Sequence, residues 1–183
     1  RILPHTVLKP DMGTFDAGSM NFYKGVFENS PIFLEKLGKA YIENGIKPEV
    51  EVFDAGMVWN AKRLLKDGFL QAPIHFQCCM HVHGGMEGTP RNLVHLVDSF
   101  PEKSTWSAFG CGPTADVIMA MAMTMGGHIR VGMEDNVYLS KGVLAEHNYQ
   151  FVEKVVKLAE VFKRPIANVD EARQILSLPP RKK

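Results

Sequence analysis

Three residues in the C-terminal half could do chemistry together: Arg130, Glu134 and Asp135, in the stretch GGHIRVGMEDN from Gly126 to Asn136. A guanidinium and two carboxylates at the end of an apolar segment are costly to bury unless they pair or bind a metal. Residues 129–131 read as a short buried strand. Side chains alternate along a strand, so Arg130, Gly132 and Glu134 are expected to share one face, with Asp135 where strand gives way to loop. Arg130 keeps its charge and forks onto carboxylates; it could hold Asp135, hold a substrate carboxylate, or simply pair with Glu134. Asp135 could act as a general base or cap the next element. Glu134 offers an oxygen ligand, and catalytic zinc often takes two histidines and one carboxylate.

Other residues could join that site. His81 and His83 make an H-x-H pair whose imidazoles would face one way on a strand. With Glu134 they form a candidate metal set, or else they are ordinary polar residues at a strand exit. Gly84 and Gly85 could leave backbone N–H groups free to face an anion, or make a tight turn. Glu49 and Glu51 share a strand face, either awaiting a cation on a ligand or solvating an edge. Cys111 between two glycines has a nucleophile's chemistry but no histidine nearby in sequence. Met119, Met121, Met123 and Met125 read as core filler, since methionine adapts to irregular gaps.

The elements that must position these residues alternate. Strands are expected over 11–15, 48–54, 74–82, 105–109 and 129–131. Helices are expected from Ser30 as N-cap to Asn44-Gly45, over 56–66, from Thr89 to about Phe100, from Thr114 to Met125, over 144–162 and over 169–176. Residues 1–10, with Pro4 and Pro10, are expected not to be helical. DAGSMNF, holding Ser19 and Asn21, reads as a polar loop. Strict alternation means a parallel sheet covered by helices, either a doubly wound open sheet or part of a (β/α)8 barrel. A barrel usually needs about 250 residues, so in 183 residues roughly three units would be absent.

Composition bounds the rest. The chain is long enough for one domain with a sizeable core. A net charge of +1 implies no strong field for nucleic acid or membrane, and the basic cluster Arg181-Lys182-Lys183 reads as a solvated tail. No apolar run reaches the roughly 18 residues of a membrane span. Adjacent Cys78 and Cys79 are a poor disulfide pair, so a reducing, cytoplasmic setting is expected. There is no initiator Met, and the true N-terminus is expected to lie upstream of Arg1.

The stretches KPDMGTFDAGSMNF, PEVEVFDAGM, TPRNLVHLVDSFPEKSTWSAFGCG and GGHIRVGMEDN resemble, in order, the second half of the beta-keto acid cleavage enzymes of the 3-keto-5-aminohexanoate cleavage type. The resemblance implies a zinc-dependent (β/α)8 TIM barrel, present here as a single partial domain over 1–183 that lacks its N-terminal strands. It implies an acyltransferase that takes a β-keto acid and acetyl-CoA and gives acetoacetate and a new acyl-CoA. Glu134 falls at the zinc glutamate, and Arg130 and Asp135 at a catalytic arginine and aspartate. Ser19 and Asn21 match substrate contacts in a G-[ST]-x-N-F motif. Glu51, or else Glu49, matches a glutamate that meets the substrate's distal group. Gly84 and Gly85 match a turn that receives the substrate carboxylate. The chain lacks the family's early H-x-H zinc ligands, and it carries His81 and His83 where the family usually has apolar or small residues. A homo-oligomer is expected, and this fragment alone is expected to be inactive. The alternative is another metal-dependent barrel lyase, aldolase or hydrolase using His81, His83 and Glu134.

Overall fold

The computed structural model describes residues 2–180; the predicted basic tail Arg181–Lys183 lies outside them. Five strands form one parallel sheet: β1 (Met12–Asp16), β4 (Lys47–Val52), β5 (His75–Met80), β6 (Thr105–Gly110) and β7 (His128–Ile129), adjacent in that order. Helices α2 (Pro31–Asn44), α3 (Ala55–Lys66), α4 (Pro90–Asp98), α5 (Ala115–Thr124) and α6 (Tyr149–Val161) follow these strands in turn. The strictly alternating α/β pattern is therefore observed, as five strand–helix units.

Local chemistry explains the helix starts. Ser30, Asp54 and Thr89 each accept a hydrogen bond from the backbone N–H three residues on, satisfying donors the first turn leaves open. Gly45 and Gly126 take the left-handed backbone just past α2 and α5. A final helix, α7 (Val169–Ile175), opens with a capping box between Asn168 and Glu171.

The register divides the sheet into two chemically different faces. Phe15, Val50, Phe76 and Trp106 stand side by side across four strands. They lie in the buried core, with Leu34 and Tyr41 of α2, Ala61 and Leu64 of α3, Leu93 and Leu96 of α4, and Ile118 of α5. The neighbouring positions make polar rows. One runs Thr14, Glu49, His75, Thr105; the next runs Asp16, Glu51, Gln77, Ser107, His128. Period-two alternation turns these rows to the face away from the helices. Met119 and Met123 are buried and Met121 and Met125 pack against the core, so the methionine run fills space as expected.

Several expectations are corrected. Residues 3–8 do form a short helix, α1 (Leu3–Leu8), because Pro4 sits in its first turn, where a missing N–H costs nothing. Two hairpins were not foreseen: β2 (Met20–Phe22) with β3 (Gly25–Phe27), and β8 (Tyr138–Ser140) with β9 (Val143–Leu144). The second hairpin delays α6 to Tyr149. Thr114 does not cap α5; its hydroxyl donates to the Cys111 carbonyl within a 3₁₀ turn, Gly112–Thr114. The strand expected over 129–131 is β7, which is shorter than expected and half-buried and ends at Ile129.

Candidate active site

In a parallel sheet the C-terminal strand ends lie together, so the segments after β1, β4, β5, β6 and β7 gather at one end. Arg130 follows β7 directly, its N–H still bonded to the Ala108 carbonyl at 3.2 Å. Its guanidinium lies over the Phe109 ring, 4.6 Å from the centroid. The chain then turns, the Gly132 carbonyl accepting from the N–H groups of Asp135 (3.2 Å) and Asn136 (3.1 Å). That turn, not an extended strand, brings both acids back to Arg130. The expected alternation of Arg130, Gly132 and Glu134 on a strand face is corrected accordingly.

The Arg130 fork is nearly saturated. Nε and Nη2 donate to the two oxygens of Asp135 at 3.1 and 3.0 Å. Nη2 also donates to Glu134 at 3.0 Å, and Nη1 donates to Glu51 at 3.0 Å. Exposure separates the two neighbouring acids: the Asp135 side chain is 9% exposed and that of Glu134 is 85% exposed. Burial lifts the Asp135 carboxyl above its ordinary range, against the pull of Arg130. A carboxylate made more basic by burial and held in one orientation by a cation is suited to take a proton from carbon.

Glu51 is 8% exposed. Its carboxyl is pushed up to about 8, by burial first and then by Asp16, its neighbour on β1, which hydrogen bonds to it; Arg130 opposes the shift. Glu49, in the adjacent polar row, is also raised by burial. His75 shares that row with Glu49. Its Nδ1 meets Thr105 Oγ1 at 2.9 Å and its Nε2 meets Ser107 Oγ at 3.2 Å, while Ser107 donates to Gln77 Oε1 at 2.5 Å. Burial, then His128 and Lys47, lower His75 to about 4, so it is neutral at physiological pH.

The histidine pair is not where strand alternation would put it. β5 ends at Met80, and His81 takes a left-handed φ of +63°. Its Nδ1 accepts from the Gly88 N–H at 3.2 Å. The ring of His83 stacks on Tyr23, centroids 5.9 Å apart. Among the described residues no three His, Cys, Asp or Glu side chains form a group that could hold a metal ion. The set His81, His83 and Glu134 is therefore corrected, because the strand that was to aim both imidazoles stops before them. Glu134 stands as a single candidate ligand, and the residues present do not make a metal centre by themselves.

The two glycines act by close approach. The Gly85 N–H donates to Val82 at 2.9 Å, so it is not free for an anion, which corrects half of that expectation. Gly84 has a φ of +103°, and a Cβ there would collide with the Asn21 carbonyl oxygen; a Cβ on Gly85 would come within 2.9 Å of the Phe53 carbonyl oxygen. The loops after β1, β4 and β5 are thus packed backbone to backbone, with the Met86 N–H donating to Phe53 at 2.8 Å. Ser19 and Asn21 are exposed on the loop and hairpin after β1, and Ser19 Oγ accepts from the Asn29 N–H at 2.8 Å. Cys111 is half-buried, its thiol raised by burial and then by Asp135, which leaves it protonated rather than activated.

Asp16, Phe109 and the hydrogen-bonded group of His75, Gln77 and Ser107 were missed from sequence. The signal was there as polar residues two apart in four successive strands: Thr14 and Asp16, Glu49 and Glu51, His75 and Gln77, Thr105 and Ser107.

A family model described as beta-keto acid cleavage enzyme matches residues 1–178. The chain is 48% identical over 177 residues to the 3-keto-5-aminohexanoate cleavage enzyme of Fusobacterium nucleatum, covering 96% of this chain and 64% of that one. It is 37% identical over 174 residues to the 3-dehydrocarnitine:acetyl-CoA trimethylamine transferase of Rhizobium meliloti, covering 94% and 58%. It therefore spans less than two-thirds of the length of these relatives. The apo structure of ObcA superposes with a TM-score of 0.80 over 92% of this chain and 44% of that chain, at 21% identity, which shows a shared fold.

Proposed function

Because the chain belongs to the beta-keto acid cleavage enzyme family, we propose that the protein cleaves a β-keto acid with acetyl-CoA, giving acetoacetate and a new acyl-CoA. The observation that carries this reading is the fork of Arg130 on a buried, basic Asp135 at the C-terminal end of a parallel sheet. Asp135 takes a proton from the carbon between the keto and carboxylate groups. The resulting enolate carbon attacks the acetyl thioester and releases coenzyme A thiolate. The thiolate attacks the original keto carbon, the bond to the acetylated carbon breaks, and the departing carbanion recovers the proton from Asp135. Carbon, sulfur and protons balance without an oxidant. Arg130 keeps Asp135 oriented and anionic. Ser19, Asn21 and the Gly84 turn are the proposed contacts for the substrate's oxygens, an assignment supported by the packing of Gly84 on Asn21.

Zinc is part of the proposal for the whole protein, with Glu134 as one ligand; a bound divalent ion would supply positive charge to an enolate oxygen. The described residues supply one carboxylate toward it, Glu134. We also read the five units as part of a (β/α)8 barrel, and the protein as a cytoplasmic homo-oligomer. The contact of Arg130, beside β7, with Glu51 on β4, three strands away, supports the barrel. The free thiols of Cys78, Cys79 and Cys111 support a reducing compartment. The aldolase or hydrolase alternative needs His81 and His83 beside Glu134, an arrangement no observation favours.

The test is an assay of the intact protein with acetyl-CoA and a panel of β-keto acids, following acetoacetate. Production from at least one acid, lost in Asp135→Asn and reduced in Glu134→Gln, is the expected result. No acetoacetate from any acid, or full activity in Asp135→Asn, would sink the reading.

A further inference from the structure

Resting on the proposed function, in which acetyl-CoA is the co-substrate, we propose that Tyr23 and His83 form a stacking platform for its adenine ring. The platform lies at the rim of the site, apart from the reacting groups.

The loop after β5 and the β2–β3 hairpin meet over the end of β4: Gly84 packs on the Asn21 carbonyl, and the Met86 N–H donates to Phe53. Two rings stand at this seam. Tyr23, in the hairpin turn just past Asn21 and Phe22, lies nearly parallel to the ring of His83, the residue before Gly84. Their planes are 16° apart and their centroids 5.9 Å apart. Phe22 meets Tyr23 edge-on at 5.0 Å and leans on Phe27 at 6.1 Å, so a chain of rings runs from the hairpin into the loop. Aromatic side chains usually bury their faces; here Tyr23 is 69% exposed, Phe22 is 41% exposed, and His83 is exposed too. Tyr23 also holds a left-handed φ of +50°, a strained conformation for a bulky residue, and such strain collects at ligand clamps. Rings held in place at a backbone cost and left open to water suit a planar ligand.

Chemistry selects that ligand. Of the two proposed substrates, the keto acid is small and is assigned to Asn21, Gly84 and Asp135. Acetyl-CoA is long. Its thioester must reach Asp135 while its phosphates stay in water, because burying unpaired charge is costly. Its adenine therefore lies outside, on a surface next to the site, and a purine stacks on aromatic faces. Tyr23 and His83 flank the two residues assigned to the keto acid, which puts their open faces at that surface. Lys24 is exposed beside Tyr23 and sets an ammonium next to the platform, complementary in charge to the phosphates.

Two measurements test this. The first needs no turnover: adenosine 3′,5′-bisphosphate is titrated into the intact protein while NMR follows the ring signals of Tyr23 and His83, identified by their absence from Tyr23→Gly and His83→Ala. Saturable shifts of both rings are expected. Rings that do not respond overturn the platform whether or not the protein cleaves any keto acid. The second uses turnover: kcat/KM for acetyl-CoA is divided by that for S-acetylpantetheine, which carries the same thioester without the nucleotide. This ratio is expected to fall about 10-fold in Tyr23→Gly, the scale of one lost base stack, through a higher KM for acetyl-CoA, and to be restored in Tyr23→Phe. Glycine takes a φ of +50° without strain, so Tyr23→Gly is expected to fold. An unchanged ratio overturns the assignment, and so does an equal loss with both donors, which would mean that the ring shapes the hairpin rather than meeting the base. Binding of 5′-AMP as tight as that of the bisphosphate, with the ratio unchanged, would mark a site for free nucleotide and overturn the link to acetyl-CoA. A wild type that binds the bisphosphate at these rings but turns over no keto acid would fail the proposed function and leave the adenine platform standing.

Discussion

A lysine at position 130 would keep the positive charge and lose the planar fork, because an ammonium cannot bond both oxygens of Asp135 in parallel. Arg130→Lys is expected to fold and to lose about 100-fold in kcat; circular dichroism and the acetoacetate assay check the two halves. Activity near wild type would mean that charge alone suffices. Glu51 gives a second prediction at the same scale, in stability. Its carboxyl sits at about 8 in the folded protein against an ordinary 4.5, so the folded state holds the proton more tightly than the unfolded chain. Its contribution is complete below pH 4.5 and is lost as pH rises through about 8, at up to ~1.4 kcal/mol per pH unit. Thermal midpoints measured across that window are expected to decline, and Glu51→Gln, which cannot ionise, is expected to flatten the decline. A wild-type curve already flat there would contradict the proton held on buried Glu51.

Between elements, polar rows and glycine contacts do what apolar packing does elsewhere. His75 joins β5 to β6 through Thr105 and Ser107, and it is folded neutral. Its value of about 4 lies below the ordinary 6.5, so the unfolded chain binds the proton more readily. The sign is opposite to that of Glu51: stability is complete above pH 6.5 and falls as pH drops toward 4. Urea unfolding at the two ends of that range is expected to show the loss, and His75→Gln, with an amide in place of a titrating ring, to remove most of it. Gly84 tests the seam between the β5 loop and the β2–β3 hairpin. Gly84→Ala combines a φ of +103° with a collision against the Asn21 carbonyl, and is expected to cost about 2–3 kcal/mol, read as a lowered urea midpoint. A cost near zero would mean that the hairpin is free to shift.

For the molecule as a whole, the shape of the sheet matters most. Glu51 on β4 and Arg130 beside β7 are separated by three strand steps, about 14 Å in a flat sheet, yet their side chains meet at 3.0 Å. At the other end Arg173 of α7 forks onto Asp11, just before β1, at 2.8 and 3.0 Å, so the last helix reaches the first strand. Both contacts tie together segments from opposite sides of the five-strand order. β1 and β7 nevertheless remain its outer strands, each with one edge unpaired among the described residues, and open edges invite pairing with other chains. The 183-residue chain alone is expected to self-associate with rising concentration, as sedimentation would show; a monomer at every concentration would argue that these edges are protected. Sequence by itself determined the alternating strand–helix order, the caps at Ser30 and Thr89, the methionine core and the grouping of Arg130, Glu134 and Asp135, because propensity, capping and periodicity act over a few neighbouring residues. Only the tertiary structure decided that Glu51 and Asp16 belong to Arg130, that a turn rather than a strand carries Glu134 and Asp135, and that His81 and His83 stand apart from Glu134. Those outcomes depend on where a strand stops and which strand ends meet, which are set by packing between segments tens of residues apart.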